Sequence, residues 1–85
     1  MVQYTIRVID AQGQRVSEWK SGPVQTWEQL EQHIGHRIGI GVHPVARVLE
    51  ALRGRSLSYE TYDLASMLLE SIDRAGPGGT LEVLP

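Results

Sequence analysis

The chain has 85 residues and a mass of 9.5 kDa, which leaves room for one small domain, residues 1–85, and not for two. Hydrophobic residues make up 41% of it and charged residues 21%, so its composition is that of a folded globular protein and not that of a disordered chain. The formal net charge is only −2, and the lack of cysteine excludes disulfides, thiolate metal sites and cysteine nucleophiles.

An alternation of apolar and polar residues predicts that the chain opens with a strand. The apolar residues of this strand are Val2, Tyr4, Ile6 and Val8. Residues 10–13 have turn chemistry, so a second strand is expected over residues 14–20. Val16 and Trp19 lie three residues apart in that strand, and they share a face only if the strand contains a bulge or a twist. Ser21-Gly22-Pro23 is expected to end it.

Two helices are predicted in the middle of the chain. The first begins at Thr26, whose hydroxyl forms a capping box with Gln29, and it ends in the glycine-rich residues 35–41. The second begins at Pro44, which suits a first helical position, and ends at Gly54. Their core-facing residues are predicted to be Trp27, Leu30 and Ile34, followed by Val45, Val48, Leu49 and Leu52.

A third and longest helix is predicted to begin at Ser56 or Ser58 and to end at residues 75–79, where glycine and proline are concentrated. Its broad apolar stripe consists of Tyr62, Leu64, Ala65, Leu68, Leu69 and Ile72. Residues 80–84 alternate as a closing strand. The predicted element order is therefore ββαααβ.

This order predicts an α+β fold. A strand that returns after helices tends to pair beside an earlier strand through a right-handed crossover. We therefore expect the last strand to lie parallel to the first, in a three-stranded mixed sheet of order 2-1-3 with the helices packed on one face. A hairpin, then a helix, then a strand beside the first resembles the opening of a β-grasp or ubiquitin-like domain. The resemblance covers about the first 34 residues and implies no modifier function, because Gly78 and Gly79 precede a strand.

No apolar run approaches the ~18 residues that a membrane span needs. Residues 1–10 alternate apolar and polar side chains instead of forming a signal-peptide core. We therefore expect a cytoplasmic protein with no membrane partner.

The histidines and two of the serines are the candidate groups for metal binding and catalysis. His33, His36 and His43 supply three imidazoles, but their spacing matches no zinc site and no cysteine accompanies them. We expect solvent-facing or capping histidines, with no bound metal and no cofactor. Ser56 and Ser58 lack a nucleophile-elbow pattern, so we do not expect an enzyme.

The glycine-rich segment before the second helix is a candidate phosphate-binding loop. Gly35, Gly39 and Gly41, with Arg37 among them, could turn backbone amides towards a phosphate at the helix N-terminus. Because neither a P-loop nor a Rossmann pattern is present, we expect an ordinary turn between helices.

Charge is unevenly distributed along the chain. Residues 33–55 hold four arginines and one glutamate, whereas residues 56–85 hold one arginine and five acidic residues. The second and third helices resemble a helix-turn-helix, but an acidic recognition helix would repel DNA. Nucleic-acid binding is therefore the alternative hypothesis, not the preferred one. It would use Arg37, Arg47, Arg53 and Arg55.

By elimination, the sequence predicts a small non-catalytic protein-binding module, an adaptor or an inhibitor. Chains of this size without catalytic groups include antitoxins and phage-encoded anti-CRISPR proteins, an analogy of size and acidity. The expected contact surfaces are the acidic third helix and the exposed sheet face or edge, and free edges also allow a homodimer. The predicted partner-binding residues are Trp19, Tyr59, Glu60, Asp63, Glu70 and Asp73.

Overall fold

A computed structural model of the protein describes residues 3–53 and 62–85, and it shows an α+β fold. Within these residues, four strands form one antiparallel sheet and three helices pack against it. The strands are β1 (Gln3–Ile9), β2 (Arg15–Pro23), β3 (Gly41–Pro44) and β4 (Thr80–Leu84). The helices are α1 (Val24–Ile34), α2 (Val45–Leu52) and α3 (Tyr62–Ala75).

The sheet order is β2-β1-β4-β3, so the predicted three-stranded sheet of order 2-1-3 is wrong in two respects. The closing strand does lie beside β1, but it runs antiparallel to it, with Ile6 opposite Val83 and Val8 opposite Leu81. The reason is that two helices separate β3 from β4. An outward and a return helix bring the chain back to the end of the sheet that it left, so β4 runs antiparallel to β3.

The fourth strand, β3, lies where a turn was predicted. It has only four residues, of which Gly41 and Pro44 are poor strand formers, so propensity does not reveal it. Its pairing with β4 continues one residue further, where the Val45 amide donates to the Gly79 carbonyl at 3.1 Å. Pro44 ends the strand and is also the N-cap of α2, so α2 begins one residue later than predicted.

β2 contains a bulge, which is one of the two irregularities that allow Val16 and Trp19 to share a face. Val8 pairs with Ser17 and Ile9 with Arg15, which leaves Val16 as the additional residue. Val16 and Trp19 therefore both pack against the core. A second register shift occurs around Gly22, whose φ of 79° suits a bulge, and the strand continues to Pro23 instead of ending at Ser21.

The first helix begins two residues before the predicted start. Pro23 closes β2 and α1 starts at Val24, so Thr26 lies within the helix. The predicted end is confirmed by a Schellman motif, in which Gly35 has a φ of 68° and the His36 amide donates to the Glu31 carbonyl. The predicted caps of the third helix, Ser56 and Ser58, and the terminator Gly54 lie outside the described residues.

One hydrophobic core lies between the helices and one face of the sheet. Ile6 and Val8 share that face with Leu81 and Val83, and all four are fully buried. The helices contribute Trp27, Leu30, Ile34, Val45, Val48, Leu52, Leu64, Ala65, Leu68 and Ile72. The predicted stripes are thus confirmed for α1 and α2, with Leu49 half-buried at the edge of the core.

The outer face of the sheet carries an ion-pair network across three strands. Arg7 of β1 donates from Nε to Glu18 Oε1 at 2.7 Å and from Nη1 to Glu82 Oε2 at 3.2 Å. Arg15 also donates to Glu18 Oε1, at 3.2 Å. The register places Glu18, Arg7 and Glu82 in one row, and Val42 of β3 extends that row to the edge.

We predict that Gly79→Ala destabilises the protein. An added Cβ would lie 2.7 Å from the Ile9 carbonyl oxygen and 2.9 Å from the Ala75 Cβ. Because backbone must move to relieve the first contact, we expect a loss of about 1–3 kcal/mol in urea unfolding. Gly13→Asn is the control, since Gly13 meets no atom within 4 Å and asparagine tolerates its φ of 82°. Equal losses in the two variants would show that close approach at Gly79 is unimportant.

A second prediction concerns pH. The hydrogen bond from Arg7 lowers the pKa of Glu18 below its usual value. A carboxylate with a lowered folded-state pKa stabilises the fold above its unfolded pKa, and this stabilisation is lost as the pH falls through the folded pKa. Glu18→Gln should therefore be less stable than the parent at pH 7, and the difference should shrink at an acid pH below the ordinary glutamate pKa of about 4.3. Unfolding by urea at both pH values measures this, with the exposed Glu28→Gln as the control, and a difference that persists in acid contradicts it.

Candidate binding surfaces

The exposed side of α3 carries an acidic stripe with an apolar centre. Asp63, Met67 and Glu70 follow one another at intervals of four and three residues, so they lie in one line on the helix. Asp63 and Glu70 are exposed. Met67 is 44% exposed, and few other large apolar side chains among the described residues are exposed. We call these three residues the α3 stripe.

Asp73 lies beside the line of the α3 stripe, as the neighbour of Glu70 three residues earlier. It lines a groove of about 580 Å³ between α2 and α3, together with Arg53 at the end of α2. The groove is mostly apolar and is lined otherwise by Val45, Ala46, Leu49, Leu69, Ile72, Gly76 and Pro77. Asp73 therefore faces this groove, and Arg53 lies apart from Arg37 and Arg47, which line another pocket.

Two of the four predicted arginines meet at a third surface. Arg37, from the segment between α1 and β3, and Arg47, from α2, line a pocket of about 300 Å³. His36 and His43 line it as well, and Ile38 and Val48 complete its wall. We call this the basic pocket. Sequence spacing did not predict it, because its arginines and histidines come from a loop, a strand and a helix.

The loop that carries His36 and Arg37 is held by one carboxylate. Glu31 Oε2, near the end of α1, accepts hydrogen bonds from the amides of Ile38 at 2.6 Å and Gly39 at 2.9 Å. The Ile38 side chain is buried in the core, and His43 Nε2 lies 3.3 Å from the Gly39 carbonyl oxygen. Side chains from α1 and β3 therefore hold the loop at residues 38 and 39.

A second, larger groove adjoins the basic pocket. It measures about 540 Å³, and His36 and Arg37 line both of them. The remaining lining is a mixture of carboxylate, amide, phenol and apolar groups: Tyr4, Glu28, Glu31, Gln32, Gly35, Gly39 and Ile40. We call it the polar groove.

The predicted aromatic contact residue Trp19 is half-buried. It lies on the helix-facing side of β2, opposite Ile6, and packs against the core. Its Nε1 is buried and has no hydrogen-bond acceptor among the described residues, which is also true of Trp27 Nε1. Tyr59, Glu60 and Arg55 lie outside the described residues.

The two edges of the sheet differ in character. β2 carries two register shifts and the charged residues Arg15, Glu18 and Lys20. On the β3 side, Ile40 is 55% exposed and Val42 63%. Bulges and charges discourage pairing with another chain, so β3 is the more accessible edge for the predicted self-association. Alternation of Ile38, Ile40 and Val42 is the signal in the sequence that could have indicated this strand.

Comparison of the chain with protein-family models, with curated proteins and with solved structures found no match. None of the helices in residues 3–53 and 62–85 is long and apolar enough to cross a membrane. In the same residues no three histidine or acidic side chains are grouped as a metal site; His36 and His43 share the basic pocket, whereas His33 lies half-buried on α1.

We predict that Glu31→Ala destabilises the protein by about 1–3 kcal/mol, because two part-buried amides lose a charged acceptor. Urea unfolding measures this change in the free energy of unfolding. Glu28→Ala is the matched control, because Glu28 is an exposed acid on the same helix, and we expect it to change stability by less than about 0.5 kcal/mol. Equal stability of the two variants would show that the loop does not depend on Glu31.

Proposed function

We propose that this protein is a small non-catalytic protein-binding module and that the α3 stripe is its contact surface. The observation that carries the proposal is the position of Met67, an exposed apolar side chain between two exposed carboxylates on one line of a helix. Interfaces commonly have this composition, with methionine enriched at the centre and charged residues at the rim.

The burial pattern of α3 supports this assignment. The opposite side of the helix is packed into the core through Ala65, Leu68 and Ile72, so the stripe is held at a defined orientation. Core packing therefore needs neither Met67 nor the carboxylates beside it. Because the helix backbone is already fixed, binding orders only the side chains of the stripe.

Two carboxylates favour a basic partner. Charge complementarity accelerates association and selects the partner, while the apolar centre supplies most of the affinity. A basic protein surface that ordinarily binds nucleic acid is one such partner, and Asp63 and Glu70 would take the place of phosphates on it. In that case the protein is an inhibitor; if the partner's own activity is unaffected, it is an adaptor.

The experiment compares proteins captured from the source cell by the untagged parent, by Asp63→Lys/Glu70→Lys and by Glu28→Lys/Glu50→Lys. Both variants replace two exposed acids by lysine, but the second changes α1 and α2 and leaves α3 intact. We expect the same partner with the parent and the control, and at least about tenfold weaker binding with the α3 variant, since close charge pairs contribute about 1.5 kcal/mol or more.

Two outcomes contradict the proposal. One is a partner that binds all three proteins equally, and the other is loss of binding with both double variants, which would reflect net charge alone. Asp63 lies in the first turn of α3, so its reversal also costs about 0.3–1 kcal/mol of helix stability. Circular dichroism and thermal unfolding of each variant separate this effect from lost contacts, and Met67→Ala tests the stripe with no change of charge.

A further inference from the structure

The basic pocket concentrates positive charge on elements other than α3, so the proposed role of the α3 stripe leaves it unexplained. His36, Arg37, His43 and Arg47 line it, and no carboxylate does. Arginine guanidinium groups are planar, permanently charged and able to donate two parallel hydrogen bonds to one phosphate. Their convergence with two imidazoles in a pocket of about 300 Å³ is a cluster of donors suited to a small anion.

We propose that the basic pocket binds the phosphate of a small phosphate monoester. The pocket is preorganised, because Glu31 holds the loop that carries His36 and Arg37, and His43 Nε2 lies within reach of the Gly39 carbonyl. A binding site whose backbone is already fixed loses little free energy to ordering when its ligand arrives.

The polar groove indicates what the phosphate is attached to. His36 and Arg37 line both cavities, so a group bonded to the phosphate can extend from one into the other. In the polar groove that group meets Gln32 and Tyr4 as hydrogen-bonding partners and Ile40 as an apolar contact. These contacts suit a neutral organic moiety that carries hydroxyls.

The same groove argues against a nucleic-acid strand. Glu28 and Glu31 line it, and Glu28 is exposed. A strand that continued from the basic pocket would bring its next phosphates towards these carboxylates, opposite to the charge pairing that such binding requires. One phosphate with an uncharged remainder avoids that repulsion.

The test is a titration of the isotopically labelled full chain, followed through its amide chemical shifts in low-salt buffer without phosphate. The probes are inorganic phosphate, ribose 5-phosphate and ribose. We expect saturable shifts confined to residues 36–48 and to the polar groove, with ribose 5-phosphate binding more tightly than inorganic phosphate and ribose not binding. Shifts that do not saturate, or that spread equally to Arg15 and Arg74, would overturn the proposal.

Substitutions identify the residues responsible. Arg37→Ala and Arg47→Ala should each weaken ribose 5-phosphate binding at least about tenfold, because a charged hydrogen bond is lost. Arg74→Ala is the matched control, since Arg74 is an exposed arginine on α3 outside the pocket, and its affinity should equal that of the parent. Parent affinity in both pocket variants would overturn the proposal.

A final titration tests whether the phosphate belongs to a small monoester or to a nucleic acid. A single-stranded oligonucleotide of twelve thymidines is titrated under the same conditions. If ribose 5-phosphate binds and the oligonucleotide binds no more tightly per phosphate, the ligand is a small monoester. If only the oligonucleotide binds, and Arg37→Ala and Arg47→Ala abolish this, the small-ligand assignment is wrong and the pocket is a nucleic-acid contact.

Discussion

The arrangement of the molecule depends on the antiparallel insertion of β4 between β1 and β3. Leu81 and Val83 complete the buried face of the sheet, while Glu82 between them turns outward and binds Arg7. One strand thus contributes both to the core and to the ion pairs of the outer face. β3 has only four residues and pairs only with β4 among the described strands, so its position follows from this insertion.

The same pairing builds the basic pocket. The Val45 amide bonds to the Gly79 carbonyl, so α2 starts where β3 and β4 meet. His43 therefore comes from the strand and Arg47 from the first turn of the helix that follows it, separated by the sharp change of direction at Pro44. Gly79 allows this junction to lie against the Ile9 carbonyl, because any side chain there would collide with it. The junction of β3 with α2 therefore places His43 and Arg47 in the same pocket.

Periodicity predicted the elements that bury a continuous apolar face. The stripes of α1 and α2 and the alternation of β1 each indicate burial directly. The Val16–Trp19 spacing left a bulge or a twist as the ways for both side chains to reach the core, and the structure has a bulge. Periodicity could not predict β3, whose four residues include glycine and proline, nor the direction of β4, which depends on how many helices precede it. The candidate surfaces follow the same rule. Asp63 and Glu70 lie on one helix and could be grouped from the sequence, whereas the meeting of Arg37 and Arg47 with His36 and His43 depends on a loop, a strand and a helix and could not.

Some charged side chains of the described residues form ion pairs with one another, and others do not. The salt bridges among the described residues all lie on the outer face of the sheet, where Arg7, Arg15, Glu18 and Glu82 neutralise one another. Exposed pairs of this kind contribute little stability because water and salt screen them, so the fold does not depend on pairing every charge. The carboxylates of the α3 stripe and the guanidinium groups of the basic pocket form no such pairs with the described residues. Because these groups have opposite signs and lie on different elements, they form two separate charged surfaces, and the two proposals, a basic partner and a phosphate, each rest on one of them.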